Sequence, residues 1–358
     1  MNQQDRNNVS IPAMGTDRPE PAANIIYQGT IEGFGSWTLD ADGLLFIDGK
    51  GKMPDWETIN EETLHTTAPW WNYQNAIKEV RISMGVTSIG DCAFCGCKDL
   101  TSVKIPNSVT SMGKGTFWGC KRLTSIAIPD GVTHIDDDVF RYCEGLTGIA
   151  IPDSVTCIGE GAFWCCKSLA DITIPNSVMR LGKRAFYDCN SLTRITLPNG
   201  VTCIEQETFW FCKSLTSVTL PVGVTSIGRW AFDGCESMTS ITIPDSVTSI
   251  NWGAFKDCTS LRSITIPDGV TRIEDGTFLN CEGLTNVTIP NGVTIIGEHA
   301  FEHCTNLASV TIPNSVTDIG EGAFNDCENL KRVTMPSGLN RLFFKNHYGI
   351  PKSIVTFT

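Results

Sequence analysis

The chain has 358 residues, 41% of them hydrophobic, and its 39 acidic and 27 basic residues give a formal net charge of −12. An acidic surface repels phosphate backbones, so this balance argues against nucleic-acid binding. No apolar run approaches the ~20 residues that a helix needs to span a bilayer, so the sequence predicts no transmembrane segment.

The first element in chain order is a polar stretch over residues 1–24, which contains Pro19 and Pro21 and predicts a flexible tail. It lacks the apolar run of a secretory signal peptide. Either the chain stays inside the cell or a signal has been removed, and the sequence alone leaves both possibilities open.

Residues 25–76 do not repeat and predict an N-terminal cap. Within them the sequence SWTLDADGLLFIDG predicts two strands around a turn at residues 40–43. A repeat array exposes a cross-section of its core at each end and needs a cover there. The aromatic candidates for that cover are Trp37, Trp70, Trp71 and Tyr73.

A strict repeat of 23 residues dominates residues 77–338. Each of its eleven copies has a phenylalanine with a cysteine three places later. A fixed period of this length predicts a solenoid whose coils stack only on their neighbours. The phenylalanines are Phe94, Phe117, Phe140, Phe163, Phe186, Phe209, Phe232, Phe255, Phe278, Phe301 and Phe324.

One copy, SLTSVTLPVGVTSIGRWAFDGC, shows the predicted elements. Val218 and Leu220 alternate as a strand does, and Pro221 then ends the ladder because it has no N–H to donate. Ala231, Phe232 and Cys235 follow at a spacing that predicts a short helix. The array is therefore expected to be an α/β solenoid with a strand side and a helix side.

The chain has 16 cysteines, of which eleven, Cys97 to Cys327, occupy the repeat position. That placement predicts buried, reduced thiols that act as small apolar residues. Cys92 and Cys95 form a C-x-x-C pair, for which an incidental disulfide and a functional thiol site both remain open.

The pattern Leu-x-x-Val-x-Ile-Pro, then Val-x-x-Ile, then Ala-Phe-x-x-Cys resembles the BspA-like, Treponema-type leucine-rich repeats over residues 77–338. The resemblance implies a right-handed solenoid with a parallel sheet on its concave side and short helices on its convex side. It also implies a secreted or cell-surface protein of a host-associated microbe that acts in adhesion and protein binding. We therefore expect a non-catalytic protein that binds a protein or glycan ligand, for which a host is one source, with no cofactor and no metal. We expect a monomer.

Two surfaces are candidates for ligand binding. The residue after each phenylalanine is aromatic in several coils, which predicts an aromatic band of Trp118, Trp164, Tyr187 and Trp210. The same rings could instead be packing elements. The strand side predicts a nearly uncharged threonine ladder, beside which Asp171 and Arg194 are two of the few charges.

Two alternatives stay open. The first is a structural spacer with no ligand of its own. The second is a zinc metalloprotease, because residues 299–303 match H-x-x-E-H and a helix would place His299 and His303 on one face. The repeat consensus explains the Ala and Phe of this match, so exposed histidines are the simpler interpretation.

Residues 339–358 break the repeat and predict a C-terminal cap. Its apolar candidates are Leu342, Phe343, Phe344, Ile354 and Phe357.

Overall fold

The computed structural model describes residues 24–60, 62–339 and 348–358. They form a solenoid in which each coil pairs with the coil 23 residues away, for example Gly148 with Asp171 and Arg194 with Ser217. The predicted tail over residues 1–24 lies outside the described residues except for its last residue, and so do the cap candidates Leu342, Phe343 and Phe344.

The first sheet is parallel and consists of the predicted strands that precede each proline. Its side chains alternate between the interior and the solvent, as in Asp171–Thr173, where only Ile172 is buried. Two isolated bridges, Ala127 to Ala150 and Ser240 to Ser263, extend it. Its strands are Glu79–Ile82, Ser102–Lys104, Gly148–Ala150, Asp171–Thr173, Arg194–Thr196, Ser217–Thr219, Ser263–Thr265, Asn286–Thr288, Ser309–Thr311 and Arg332–Met335.

A second parallel sheet, not predicted from the sequence, follows the turn after each proline. Most of its strands have only two residues, too few for an alternating pattern to appear. The strands of this second sheet come from segments of the type Thr-x-Ile. The side chain of the isoleucine, or of the residue that replaces it in a coil, points into the interior. Its strands are Val86–Ile89, Ser111–Met112, His134–Ile135, Cys157–Ile158, Arg180–Leu181, Cys203–Ile204, Ser226–Ile227, Ser249–Ile250, Arg272–Ile273, Ile295–Ile296 and Asp318–Ile319.

The short helices predicted on the side opposite the first sheet are wrong: within the described residues this side consists of turns. The residues two before and two after each phenylalanine have left-handed φ values, as Gly115 (60°) and Gly119 (76°) do around Phe117. A left-handed residue at every fourth position interrupts an α-helix. The freed N–H groups bond to the next coil instead, as Phe117 N does to Val139 O at 2.9 Å.

The interior is continuous from coil to coil, as the repeat predicts. The phenylalanine rings are buried and stack with centroids 5.2–5.8 Å apart. The repeat cysteines are buried beside them, except for the half-buried Cys327, and none of the 16 forms a disulfide. From Cys120 onward each repeat thiol also donates to the carbonyl oxygen of a phenylalanine in the preceding coil, at 3.0–3.3 Å.

The N-terminal residues extend the first sheet and close the interior. Strands Ile25–Ile31, Gly35–Asp40 and Leu44–Gly49 form an antiparallel meander, and the last of them pairs in parallel with Glu79–Ile82. The hairpin predicted around residues 40–43 is therefore present. Trp70 stacks on Phe94 with centroids 5.9 Å apart and is 1% exposed, so it ends the phenylalanine stack.

The remaining elements lie at the two ends of the array. At the C-terminal end, Val355–Phe357 pairs in parallel with Arg332–Met335. The buried Tyr348 accepts a hydrogen bond from Phe324 N through its carbonyl oxygen. The other short elements are strands Gly51–Lys52, Thr58–Asn60 and His65–Thr66 and 3-10 turns Trp71–Tyr73, Ser337–Leu339 and Lys352–Ile354.

Candidate binding surfaces

A groove of about 690 Å³ crosses the first sheet in the middle of the array. We call it the strand groove. Strands Asp171–Thr173, Arg194–Thr196 and Ser217–Thr219 and the turns that follow them contribute its walls. Asp171 and Arg194, which the sequence analysis selected, both line it. The polar residues that join them are Asp153, Thr173, Asn176, Thr196, Asn199 and Thr219.

Asp171 and Arg194 occupy the same repeat position in consecutive coils. Neighbouring strands of a sheet lie ~4.8 Å apart, so the two charges are close to each other on a face that has few charges. Both side chains are exposed, and none of the ion pairs among the described residues includes either of them. They can therefore contact a ligand without first breaking an internal salt bridge.

Two apolar side chains interrupt the regular surface beside this groove. Val222 is 81% exposed at a position that is Asp or Asn in all the other coils from Asn107 to Asn314. Met179 is 69% exposed at a position that is otherwise threonine. Among the described residues of the coils away from the two ends, Trp252 is the one other large apolar side chain classed as exposed. Irregular positions thus concentrate near Asp171 and Arg194.

Asn176, Asn199 and Val222 were not selected from the sequence, although a signal for them exists. All three follow the proline that ends the first-sheet strand of their coil, where the chain turns away from that sheet. The turn chemistry of Asn explains two of them without any ligand. Val222 is the informative residue because valine has no such preference.

The aromatic band lies on the turn side of the solenoid. Trp164 and Tyr187 have ring centroids 4.8 Å apart, and Tyr187 and Trp210 have centroids 5.1 Å apart. Trp210 then contacts Trp230 at 5.7 Å, and Trp230 contacts Trp252 at 4.7 Å. The rings from Trp164 to Trp230 are half-buried, so much of each ring faces its neighbours in the band.

Arg141 joins Trp118 to this band. Its guanidinium carbon lies 4.5 Å from the Trp118 centroid and 3.9 Å from the Trp164 centroid, and Arg141 itself stands where the coils on either side have these tryptophans. Such cation–π contacts are each worth about 0.5–2 kcal/mol. The four predicted residues Trp118, Trp164, Tyr187 and Trp210 therefore belong to one continuous cluster.

Trp118 also lines a second cavity, of about 460 Å³, between the cap and the turns. Lys98, Lys121 and Arg141 give this cavity positive charge, and Glu62 and Glu144 offset part of it. Lys121 is already paired with Glu144 at 2.9 Å, and Arg141 with Asp138 at 3.5 Å. Most of its charge is thus satisfied within the protein.

A buried carboxyl group follows the band at Asp233. Its side chain is 2% exposed and lies 3.6 Å from Lys256 Nζ. Its Oδ1 has no hydrogen-bond partner among the described residues. Burial raises the pKa of Asp233 to about 7, although the nearby Lys256 ammonium acts in the opposite direction. Asp257, which also pairs with Lys256, contributes to the upward shift.

The two histidines of the H-x-x-E-H match do not lie on a helix. His299 and His303 have φ values of 55° and 57°, and each belongs to a turn. His299 contacts Glu302 at 3.0 Å, whereas His303 faces Asp326 at 3.7 Å. The helical premise of the zinc-protease hypothesis is therefore wrong.

Glu302, His303 and Asp326 are the side chains in this region that could hold a metal ion. Their donor atoms lie within 4.8 Å of one another. Two of the three residues are exposed, and exposed acidic groups often cluster in this way without binding an ion.

The comparisons with known proteins agree with the repeat geometry. The profile of the BspA type leucine-rich repeat region matches residues 70–193, 133–262, 180–292 and 248–349, which together span most of the chain. The chain belongs to this family. Within the described residues of this BspA-type protein, no helix is long and apolar enough to cross a membrane.

Solved structures of bacterial leucine-rich repeat proteins are similar to this BspA-type chain. One from Eubacterium ventriosum is 25% identical, with a TM-score of 0.52, and the alignment covers 84% of this chain and 94% of that one. One from Bacteroides ovatus is 24% identical, with a TM-score of 0.51 and coverages of 94% and 98%. The Treponema pallidum leucine-rich repeat protein is 30% identical over 58% of this chain and 90% of its own, with a TM-score of 0.43. No curated protein matches the sequence.

Proposed function

We propose that this protein is a non-catalytic binding module that takes a protein or glycan ligand in the strand groove, acting as a monomer at the cell surface or outside the cell. The observation that carries the proposal is the local break in regularity. Val222 and Met179, which lie between the strands of the two sheets, expose apolar surface near the unpaired charges Asp171 and Arg194. One outward position of the first sheet is threonine in every coil from Thr173 to Thr334. The surface location rests on the family to which the chain belongs.

The scaffold suits this role because it is ordered before a ligand arrives. Hydrogen bonds between coils and the buried phenylalanine stack fix the strands that form the groove. A preformed surface loses little conformational entropy on binding, so more of the contact energy contributes to affinity. Exposed threonines supply hydroxyl groups and Asn176 and Asn199 supply amides, which suit the polar groups of a peptide backbone or a sugar.

The alternative function is a spacer that holds another part of the cell envelope or another domain at a distance. The regularity of the phenylalanine stack favours it, because rings that repeat within 5.2–5.8 Å need no ligand to explain them. The spacer role requires no special chemistry at the strand groove, whereas the binding role does.

A binding screen on matched variants tests the proposal. The wild-type protein is applied to a glycan array and to an array of purified extracellular proteins, and each ligand found is titrated against Arg194→Ala and Val222→Asp. We expect each groove variant to weaken binding by at least about tenfold, the loss of ~1.4 kcal/mol expected when a central contact is removed. Arg332→Ala is the matched control, since Arg332 occupies the same strand position six coils away.

Two results would contradict the proposal. One is a ligand whose affinity is the same for both groove variants and for the wild type. The other is the absence of any bound ligand with a protein whose circular dichroism shows that it is folded. If a ligand binds equally well to both groove variants, Trp164→Ala and Trp210→Ala test whether it binds the aromatic band. A ligand whose binding is lost only in these tryptophan variants binds the band and not the strand groove.

A further inference from the structure

The C-x-x-C pair lies at the junction of the cap and the first coil. In the other coils the position of Cys92 is held by Gly, Asp, Arg, Glu, Trp or His, so neither this thiol nor that of Cys95 belongs to the repeated cysteine ladder. Both side chains are buried, Cys92 with 8% and Cys95 with 2% of its surface exposed. They pack with Trp118, Leu64 and Tyr142 in a small apolar cluster separate from the main core.

The backbone holds the Cα atoms of the two residues at a separation that a disulfide can span. Cys95 N–H donates to the carbonyl oxygen of Cys92 at 3.2 Å, so the two residues are the first and last of a β-turn. The ends of a β-turn lie within ~7 Å of each other, which overlaps the ~4.4–6.8 Å separation of disulfide-bonded Cα atoms. Both side chains also belong to the same small buried cluster.

The surroundings of the two thiols differ. The Cys92 sulfur lies 3.0 Å from the Thr58 hydroxyl oxygen of the cap and 3.8 Å from the carbonyl oxygen of Lys114. The interaction with the Cys95 thiol, and to a smaller extent that with Thr58, lowers the pKa of Cys92 to about 7, against the opposing effects of burial and the Asp91 carboxylate; the Lys114 ammonium assists slightly. The pKa of Cys95 is raised by its interaction with Cys92 and by burial.

The pKa of every other cysteine is raised, although Cys203 also has a hydroxyl group, Ser226 Oγ, 3.0 Å from its sulfur. Burial raises the pKa of the repeat thiols, from Cys97 to Cys327. Burial also raises the pKa of Cys157 and Cys203, which are the half-exposed thiols of the second sheet. Cys165 lies beside the Asp188 carboxylate, and burial together with that contact raises its pKa to about 12. Cys92 thus differs from all of these in the direction of its pKa shift and in the second thiol at the other end of its β-turn.

We propose that Cys92 and Cys95 form a reversible dithiol–disulfide site that reacts with low-molecular-weight disulfides. The Cys92 thiolate attacks one sulfur of the small disulfide, forms a mixed disulfide and releases one thiolate. That thiolate takes the proton of Cys95, whose sulfur then attacks the Cys92 sulfur. The Cys92–Cys95 bond forms as the mixed disulfide breaks, and the second half of the small disulfide leaves as a thiolate that takes a proton from water. The protein pair is oxidised by two electrons, and the small disulfide is reduced to two thiols.

The location gives the reaction a structural consequence. Closing the bond replaces the sulfur–hydroxyl contact between Cys92 and Thr58, which joins the first coil to the short cap strand Thr58–Asn60. The oxidation state of the pair therefore sets how tightly this part of the cap is fastened to the array. The strand groove, several coils away on the first sheet, is not involved.

Oxidised glutathione is the probe that tests this site. The folded full-length chain is incubated with it near neutral pH, remaining thiols are alkylated, and peptides are mapped by mass spectrometry. We expect a Cys92–Cys95 disulfide in the wild type and one retained glutathione on Cys92 in Cys95→Ser. We expect neither product in Cys92→Ser. Cys203→Ser, which removes a half-buried thiol elsewhere, should give the wild-type result.

Three results would overturn the inference. They are glutathione attached first to Cys157 or Cys203, stable glutathione on wild-type Cys92 without ring closure, and no reaction of either residue in the folded protein. Should a serine variant fail to fold, the order of alkylation in the wild type decides the question. Cys92 should react with iodoacetamide at least roughly tenfold faster than any other cysteine, because its thiolate fraction is the largest.

Discussion

Cys212 Sγ donates a hydrogen bond to the carbonyl oxygen of Phe186 in the preceding coil, at 3.0 Å. The same carbonyl accepts the backbone N–H of Cys189 within its own coil. A thiol is small enough to fit beside the stacked rings and can still donate weakly. This relationship explains why the repeat has cysteine, and not alanine or valine, at this position.

Removing one ladder thiol should therefore have a measurable effect. We expect Cys212→Ala to lower the free energy of unfolding by about 1–2 kcal/mol, through a small cavity and a lost hydrogen bond. Urea unfolding followed by circular dichroism measures the change. Cys203→Ala, at a half-buried site outside the ladder, is the control and should cost less. Equal losses in the two variants would show that the ladder bond contributes nothing.

The aromatic lid gives a second prediction. Trp70 ends the phenylalanine stack, and its indole N–H donates to the carbonyl oxygen of Ala93 at 2.7 Å. Truncation of such a buried ring to alanine typically costs about 3–5 kcal/mol. We expect Trp70→Ala to open the first coils locally, and hydrogen exchange should show faster exchange of amides near residues 93–97.

A matched variant separates this end effect from general destabilisation. Phe209→Ala removes a ring from the middle of the same stack, where coils on both sides are affected. Amides near residues 93–97 should stay protected in Phe209→Ala at a denaturant concentration at which Trp70→Ala has lost them. Identical exchange patterns in the two variants would mean that the array unfolds as one unit and has no separately closed end.

The buried Asp233 predicts a specific pH dependence. Its folded pKa of about 7 lies above the ordinary value of 3.8, so between these values the folded protein binds more protons than the unfolded chain. Stability should therefore rise as the pH falls from about 7 towards 4. Above pH 7 the ionised, incompletely paired carboxylate destabilises the fold.

Asp233→Asn tests that dependence. Above pH 7 we expect the variant to be more stable than the wild type by roughly 1–3 kcal/mol, and the rise in stability on acidification should be reduced. Lys256 keeps its contact with Asp257 at 2.9 Å in the variant. Asp245→Asn, at an exposed turn, should leave the pH profile unchanged. A variant that is less stable than the wild type above pH 7 would contradict the assigned cause.

The interior was predictable from the sequence because burial depends on a period that the sequence states directly. The phenylalanines from Phe94 to Phe324 recur at an interval of 23 residues. Because they occupy the same position in every coil, stacking the coils places each ring on the next one. The outer turns were not predictable from spacing. Ala231, Phe232 and Cys235 have helical intervals, but a turn repeated every four residues produces the same intervals. Glycines at positions such as Gly115 and Gly253 were the available sign of left-handed backbone.

The candidate surfaces were predicted in part. Trp164, Tyr187 and Trp210 form a cluster because equivalent positions in adjacent coils must be neighbours. The place of Arg141 between two tryptophans was missed, because the sequence does not show that its guanidinium contacts the rings of both neighbouring coils. The contact of Cys92 with Thr58 was also missed, because the cap does not follow the repeat and its path over the first coil has no periodic signal.

The bonds between neighbouring turns, such as Phe117 to Val139, join adjacent coils through residues 22 apart, and equivalent bonds recur along the array. A gene duplication or deletion of one whole unit would consequently leave each surviving coil with partners of the same kind. Lineages could lengthen or shorten the protein in such steps at little structural cost. An insertion of any other size would have to be accommodated in a loop or would misalign every later ring with its neighbour.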